Sequence, residues 1–486
     1  MNHIAISVFF LLFGHIALFA QNDFARDYTP LQPMADSTSE ALAQLKARYD
    51  SDKLALKSYK GTAREELQYI YEDRYESIKW RMQYKHFYSD PALTAYFRNI
   101  LNEIYRGNPS IPASEIRFFI SRSPWANAAC EGEGTITFNF NCLQWLHNES
   151  EVAFIICHEL AHQQLNHVNN KLNNNIVQLY SKETQQKLRQ IYRSGYRVNS
   201  QAAELLKTMV YSTKKHSRTH EGEADSLGLV FLKNTSYHPG ASLSALMILD
   251  SVDKERYDIQ ASPENWFNFK DYPFKEEWHL EEEGLSMFLV DKKSSFDGKL
   301  DEDSLKTHPD CEVRVQKLKG SVPIVDKPYF LQPQQQWESW VHKADFEVIE
   351  SDLFFDNYSK ALYHTLQLLK KYPKNVYLIT TVGKIFHLLH KAQKEHEFGK
   401  YVEENDSEFD EHYQEILAFL NSLSLNDFPN IGYRFMGNYS AEASNNEDFL
   451  YYYLQLAKGA DQIEIASMLK KEYLERFPKG KYKDQM

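Results

Sequence analysis

The chain is short of glycine and proline, 18 and 16 among 486 residues, while it carries 31 Tyr and 30 Phe. A sandwich of many short strands depends on those turn formers, so their scarcity excludes one and points to long helices packed through aromatic rings. Cysteine is scarcer still. Cys130, Cys142, Cys157 and Cys311 form no CxxC pair, which excludes a zinc module built from paired thiolates. Positive charge is also in deficit: 55 Lys and Arg against 67 Asp and Glu give a net charge of −12, and that balance argues against nucleic acid as a partner. Beyond residue 20 no apolar run approaches the roughly 20 residues that span a bilayer. What remains is a globular composition, 43% hydrophobic and 25% charged, long enough for two or three domains.

The first twenty residues, MNHIAISVFFLLFGHIALFA, hold no acid, lysine or arginine, and polar Gln21-Asn22-Asp23 follow Ala20. This pattern reads as a secretory signal peptide cleaved after Ala20. It predicts export to the periplasm, with secretion or anchoring by an uncleaved segment as the alternatives. The mature chain is then expected to be soluble, with peripheral membrane association at most. No cysteine lies near the run, so a lipid-modified cysteine anchor has no residue to use. Export opens the four cysteines to pairing. Cys130 and Cys142 bracket a candidate strand, and buried free thiols explain them equally well.

Stretches such as EALAQLKARYDSDKLALKSYK carry an apolar residue every three or four positions and predict helices up to Arg106. Within them Asp90-Pro91 starts a further helix, with proline suited to its first turn. IRFFIS from Ile116 and TITFNF from Thr135 are β-branched and aromatic, and predict two strands. Asn148, with Glu151 three residues on, then forms a helix-start signature before EVAFIICHELAHQQLNHV. Another helix is expected from His220. An acidic, aromatic insert at 253–304 and a stretch rich in Pro and Gln lead to segments with helical patterns only. There LLKKYPKN (368–375) and YLERFPKG (473–480) match at an offset of 105 residues, near three repeats of a helix pair about 34 residues long.

One pentapeptide carries chemistry. His158-Glu159-Leu160-Ala161-His162 reads HExxH. On a helix, residues four apart are rotated by roughly 40° and raised by about 6 Å, so both imidazoles project toward a common point. Two neutral nitrogens there suit Zn2+, one ion per chain. Glu159, roughly 100° round from His158, cannot share the metal but can take a proton from a water at it. Leu165 and Val168 stand where a metzincin needs Gly and His, and His167 is turned roughly 140° away from His162, as a structural or surface histidine would be. The third ligand must come from farther along. Glu221 in His220-Glu221-Gly222-Glu223-Ala224-Asp225 is the best candidate, with His220 as the other. Glu221 and Asp225 share a helix face, so Asp225 can accept the outer N–H of a metal-bound histidine. Glu223, roughly 160° away, is expected in solvent.

HELAH, SRTHEGEAD (217–225) and THPDCEVR (307–314), in that order, resemble the three signatures of the HtpX/BepA family of zinc metallopeptidases. That family is number forty-eight of the metallopeptidases and includes the CAAX prenyl endopeptidases. The resemblance covers roughly residues 90 to 320. It implies a gluzincin fold, mainly α with a small sheet beside the HExxH helix, in which His158, His162 and Glu221 hold zinc and Glu159 is the base. It further implies that His308 donates to the reacting oxyanion or latches onto the zinc, and that Arg314 orients the nearby carboxylates. Asn127-Ala128 and Thr135-Ile136-Thr137 resemble the family's substrate-binding edge strand, although Cys130-Glu131 replace apolar residues expected there. Without later membrane spans the chain resembles the soluble, periplasmic BepA-like members. The implied division is a signal peptide (1–20), an N-terminal helical segment (21–89), a peptidase domain (90–326), a linker (327–340) and a TPR-like helical repeat (341–486). The expected function is a zinc endopeptidase that cuts exported or misfolded envelope proteins, with polypeptide substrates and a protein partner docking on the C-terminal repeat. The competing expectation is a chaperone-like binding protein with a structural or latent zinc site.

Overall fold

A computed structural model of the chain describes residues 24–34, 39–194, 217–249, 251–252, 262–279, 311–406 and 409–486. The expected signal peptide and His308 lie outside the described residues, as does most of the 253–304 insert.

Long helices dominate, as the shortage of glycine and proline requires. Helix α1 (Ser39–Ala55) packs on α2 (Gly61–Gln83). Helix α3 (Pro91–Gly107) opens with Pro91 in its first turn, where its missing N–H is no loss. The Asp90 side chain caps it by accepting from the Leu93 N–H at 2.9 Å. Leu93, Tyr96, Phe97, Ile100 and Ile104 form its buried stripe, the spacing of a helix with one face on a core.

Three short strands follow, β1 (Arg117–Ser121), β2 (Ala128–Cys130) and β3 (Thr135–Asn139), in the order β1-β3-β2. Central β3 runs parallel to β1, with Phe118 opposite Ile136, and antiparallel to β2, with Ala129 opposite Thr137. Gly134 enters β3 at φ 99°, and a Cβ there would stand 2.4 Å from the Glu115 carbonyl oxygen, so the turn accepts only glycine. This topology corrects the expectation for Thr135, Ile136 and Thr137. They are paired on both sides and buried, so they offer no edge to a peptide. The edge strands are β1, whose outer side is met by residues 86–88, and β2, a strand that the two-strand reading left out.

Helix α4 (Glu149–Gln164) starts at the expected signature. The Asn148 side chain accepts from the Glu151 N–H at 3.1 Å, and Glu151 accepts from the His147 N–H at 2.6 Å, a reciprocal cap. Every residue from Glu149 to Ala161 is buried, because α4 packs against β2, β3, α3 and α8 (Ala241–Leu249). Burying Phe154, Ile156 and Leu160 contributes about 1.5–3 kcal/mol each. Between α4 and α8 lie α5 (His167–Leu179), α6 (Lys182–Ser194) and the helical residues 217–233, α7.

The stretch expected to be a linker is strapped across the start of α4. Buried Glu149 accepts from the Leu331 and Gln332 N–H groups at 2.8 and 3.0 Å, and the Ser150 N–H donates to the Tyr329 carbonyl at 3.0 Å. After α9 (Pro263–Phe267) and α10 (Cys311–Lys319), helix α11 (Gln334–Phe354) begins inside the same stretch. Its Trp337, Trp340 and Ala344 belong to the core around α4, while Phe346, Val348 and Ile349 belong to the C-terminal core. One continuous helix therefore joins the two regions.

The C-terminal core is built by α12 (Tyr358–Lys371), α13 (Val376–Lys394), α14 (Glu411–Ser422), α15 (Asp427–Asn438), α16 (Glu447–Gly459) and α17 (Ile463–Arg476). Tyr28 and, from the insert, Phe267, Phe269 and Trp278 complete it. This helical region is therefore closed by residues from outside 341–486. Helix α13 packs against α12, α15 and α16, a hub rather than a ladder in which each pair meets only its neighbours. The two matching sequence pieces are helix stops: before Pro373 and Pro478 the Tyr372 and Phe477 N–H groups donate to the Leu368 and Tyr473 carbonyls, both at 2.8 Å.

Candidate metal centre

Four residues apart on α4, His158 and His162 bring their Nε2 atoms to 3.0 Å from each other. Glu221, on α7, completes the group. Its Oε2 is 3.5 Å from His158 Nε2 and its Oε1 is 3.5 Å from His162 Nε2. The approach of α7 to α4 depends on Gly228, where a Cβ would come within 3.1 Å of the His158 Cα and backbone nitrogen. Side chains larger than hydrogen there would push the Glu221 helix away.

The arrangement fits zinc on its own geometry. Ligand atoms about 2 Å from a tetrahedral ion lie about 3.3 Å from one another; here the two Nε2 atoms are 3.0 Å apart, each has a Glu221 oxygen at 3.5 Å, and one ligand atom from each of the three residues lies within 4.8 Å of the others. Glu221 Oε2 is moreover buried without a hydrogen bond, although the Arg314 guanidinium stands 3.2 Å away, so it keeps a lone pair that a metal ion can take. Two imidazole nitrogens and one carboxylate are a donor set with a coordination position left open.

Charge around the group is balanced by Arg314, on α10. Its Nε and Nη2 donate to the two Asp225 oxygens, each at 2.7 Å, and its Nη1 lies 3.2 Å from Glu221 Oε2. Asp225 Oδ1 is 3.1 Å from His158 Nδ1, the nitrogen facing away from the ligand point. Burial alone would raise the pKa values of Glu221 and Asp225, but His158 and Arg314 hold both below the usual carboxylate range. Burial likewise opposes a charge on His158, yet Asp225 and Glu221 raise its pKa to about 10. For His162, burial and the neighbouring His158 lower the pKa to about 3.

Glu159 is buried beside the ligands, and burial raises its pKa to about 6 against the pull of His158. The backbone N–H of Cys130 on β2 faces its carboxylate and favours the charged form. The Asn127 carbonyl and the Glu131 N–H bond to β3, so the backbone groups of Ala128 and Cys130 face the other way, outward over α4. An apolar pocket lined by Ala128, Phe154, Ile155, Leu246 and Leu249 adjoins His158 and Glu159. All four cysteines are free thiols, and burial pushes the Cys142 and Cys157 thiols well up.

The structure thus brings His158, Glu159, His162, Glu221, Asp225, Arg314 and Ala128 to one place, and keeps Thr135, Ile136 and Thr137 one strand away. His167 departs from the helical-wheel expectation. Asn166 adopts the left-handed conformation, φ 52°, and ends α4, so the rotation of roughly 140° never accumulates. His167 is buried, with its Nδ1 3.0 Å from His162 Nδ1 and its Nε2 3.1 Å from Glu223 Oε2. Asn166 was the available signal, since asparagine is, after glycine, the residue that most readily takes that conformation. His220 stacks on the His167 ring, with centroids 4.2 Å apart, and among the described residues two groups have the reach to hold a metal ion, the more buried His158, His162 and Glu221 and, beside it, His167, His220 and the exposed Glu223. Glu223 is 54% exposed, as expected, but it is also paired with His167.

Comparison with known families matches residues 91–322 to the profile of peptidase family M48. No curated protein matches the chain.

Proposed function

Residues 91–322 belong to peptidase family M48, the metallopeptidases, and from that premise we propose that this protein is a zinc-dependent endopeptidase cutting extended segments of exported or misfolded polypeptides. The observation that carries the reading is the convergence of His158, His162 and Glu221 beside Glu159 and the outward edge of β2. His158, His162 and Glu221 would hold the zinc, which supplies Lewis-acid polarisation of the scissile carbonyl and acidifies a water. Glu159 takes the proton of the attacking water on its carboxylate and returns it to the leaving nitrogen. Its burial, which disfavours the charged carboxylate, suits a group that must both accept and release a proton. Arg314 and Asp225 fix the ligand carboxylate and the His158 ring, so little reorganises during the reaction.

Substrate enters this reading through β2. An extended chain adds to an open strand edge by backbone hydrogen bonds, a mode that folded domains do not readily offer. The signal-like first twenty residues support export, and hence a role on envelope proteins. Exposed Ile463 and Leu474 on α17, eleven residues apart and so roughly on one face, support docking of a protein partner or unfolded chain on the C-terminal helices. A structural zinc site would need no base beside its ligands, which counts against the binding-protein alternative.

The experiment compares zinc content and casein cleavage in wild type, Glu159→Gln and Glu221→Gln. Glu159→Gln should keep zinc and lose cleavage by roughly a thousandfold or more, while Glu221→Gln should lose zinc. A Glu159→Gln enzyme that cleaves like wild type overturns the reading.

A further inference from the structure

The two ligand histidines are held differently on their outer sides. Behind His158 stands Asp225, a buried carboxylate clamped by Arg314. Behind His162 stands a second imidazole: His167 Nδ1 is 3.0 Å from His162 Nδ1, and His167 Nε2 is 3.1 Å from Glu223 Oε2. This contact exists because the left-handed Asn166 turns the chain between α4 and α5. Burial and the stacked His220 ring, inclined by only 10°, hold the His167 ring in that orientation.

We propose that His167 and Glu223 are positioning residues for His162, a two-link chain that keeps its Nδ1 hydrogen outward and its Nε2 lone pair on the metal. The proposal rests on the metallopeptidase reading above. A neutral imidazole has one N–H and one lone pair. If His162 gives its Nε2 lone pair to zinc, its Nδ1 carries the hydrogen and donates to His167 Nδ1. His167 must then carry its own hydrogen on Nε2, where the Glu223 carboxylate accepts it. Each link dictates the next, and the anion at the end selects this one arrangement over its reverse. Because Glu223 is 54% exposed, water weakens its hold, and the His167 link is the stronger one.

The test measures zinc affinity by chelator competition, metal stoichiometry, and the visible spectrum of the Co2+-substituted protein. His167→Ala should weaken zinc binding by about 10- to 100-fold and alter the Co2+ spectrum. His167→Asn places an acceptor oxygen near the lost Nδ1 and should recover most of the affinity. Glu223→Ala, an exposed change that leaves folding intact, should weaken zinc binding a few-fold in wild type and have no further effect beside His167→Ala. A His167→Ala protein that matches wild type in affinity and spectrum overturns the proposal, as does His167→Asn behaving like alanine. So does a Glu223→Ala effect of equal size in both backgrounds. A second zinc per chain that Glu223→Ala removes overturns it too, because His167, His220 and Glu223 would then hold an ion of their own. Wild type that binds no zinc overturns both this inference and the reading beneath it, whereas the outcomes above leave that reading standing.

Discussion

The core around α4 and the core of the C-terminal helices both bury carboxylates, and they treat them differently. In the C-terminal region every such group is satisfied by donors that finish or tie elements. Asp427 accepts from Tyr272, Lys275 and Ser424; Asp352 pairs with His364 at 2.7 Å; Glu347 accepts from the Tyr28 hydroxyl, the Leu31 N–H and the Tyr88 hydroxyl. Around α4, Glu149 and Glu151 do the same for a helix start. Glu221 does not. It keeps one buried oxygen without a hydrogen bond, between His158 Nε2 and the Arg314 guanidinium, while its other oxygen faces His162 Nε2. Buried polar atoms without a hydrogen bond also occur among the C-terminal helices, at Gln367 and Thr380 for example; what marks the site is that an incomplete carboxylate and two imidazoles are aimed at one point.

The sharpest test of that contrast is Arg314→Ala. Removing a buried guanidinium from two carboxylates leaves their charge uncompensated, so the melt should show about 3–5 kcal/mol of destabilisation, and chelator competition should show weaker zinc binding. Stability lost with zinc affinity intact would mean that Arg314 only ties α10 to α7. Leu366, fully buried in α12, gives the opposite pattern. Leu366→Ala should cost about 2–5 kcal/mol by cavity formation and leave short-peptide cleavage unchanged below the unfolding transition; a parallel fall in kcat would couple the two cores.

Glu347 offers a pH-dependent version. Burial raises its pKa from 4.5 to about 7 despite the three donors. A raised acid pKa means that the folded state holds a proton which the unfolded state releases. Its contribution is complete below about pH 4.5 and is lost as pH rises through about 7. Glu347→Gln should therefore flatten the fall in melting temperature between pH 5 and 7.5, and equal slopes in the two proteins would refute the assignment. The smallest effect belongs to Asn148→Ala, which removes the α4 cap and should cost about 1 kcal/mol with zinc stoichiometry unchanged. A loss of zinc there would show that the ligand helix depends on its first turn.

Local sequence determined most of the helices, the start signals at Asp90 and Asn148, and the pairs His158/His162 and Glu221/Asp225. Those features repeat within a few residues, where helix geometry alone sets which side chains share a face. Tertiary structure decided the rest. Whether Thr135–Thr137 or β2 forms the free edge depends on which strand a third one joins, and pairing partners are distant in sequence. The 327–340 stretch reads as a linker until its backbone groups meet Glu149 and Ser150. Phe267 and Trp278 look like insert residues until the C-terminal helices close over them. His167 lies between the two cases: one left-handed residue at Asn166 breaks the helical count, and the side chain is then placed by contact with His162 and Glu223 rather than by spacing. A helical pattern propagates only while the backbone keeps its dihedral angles, and beyond that break only packing can say where a side chain goes.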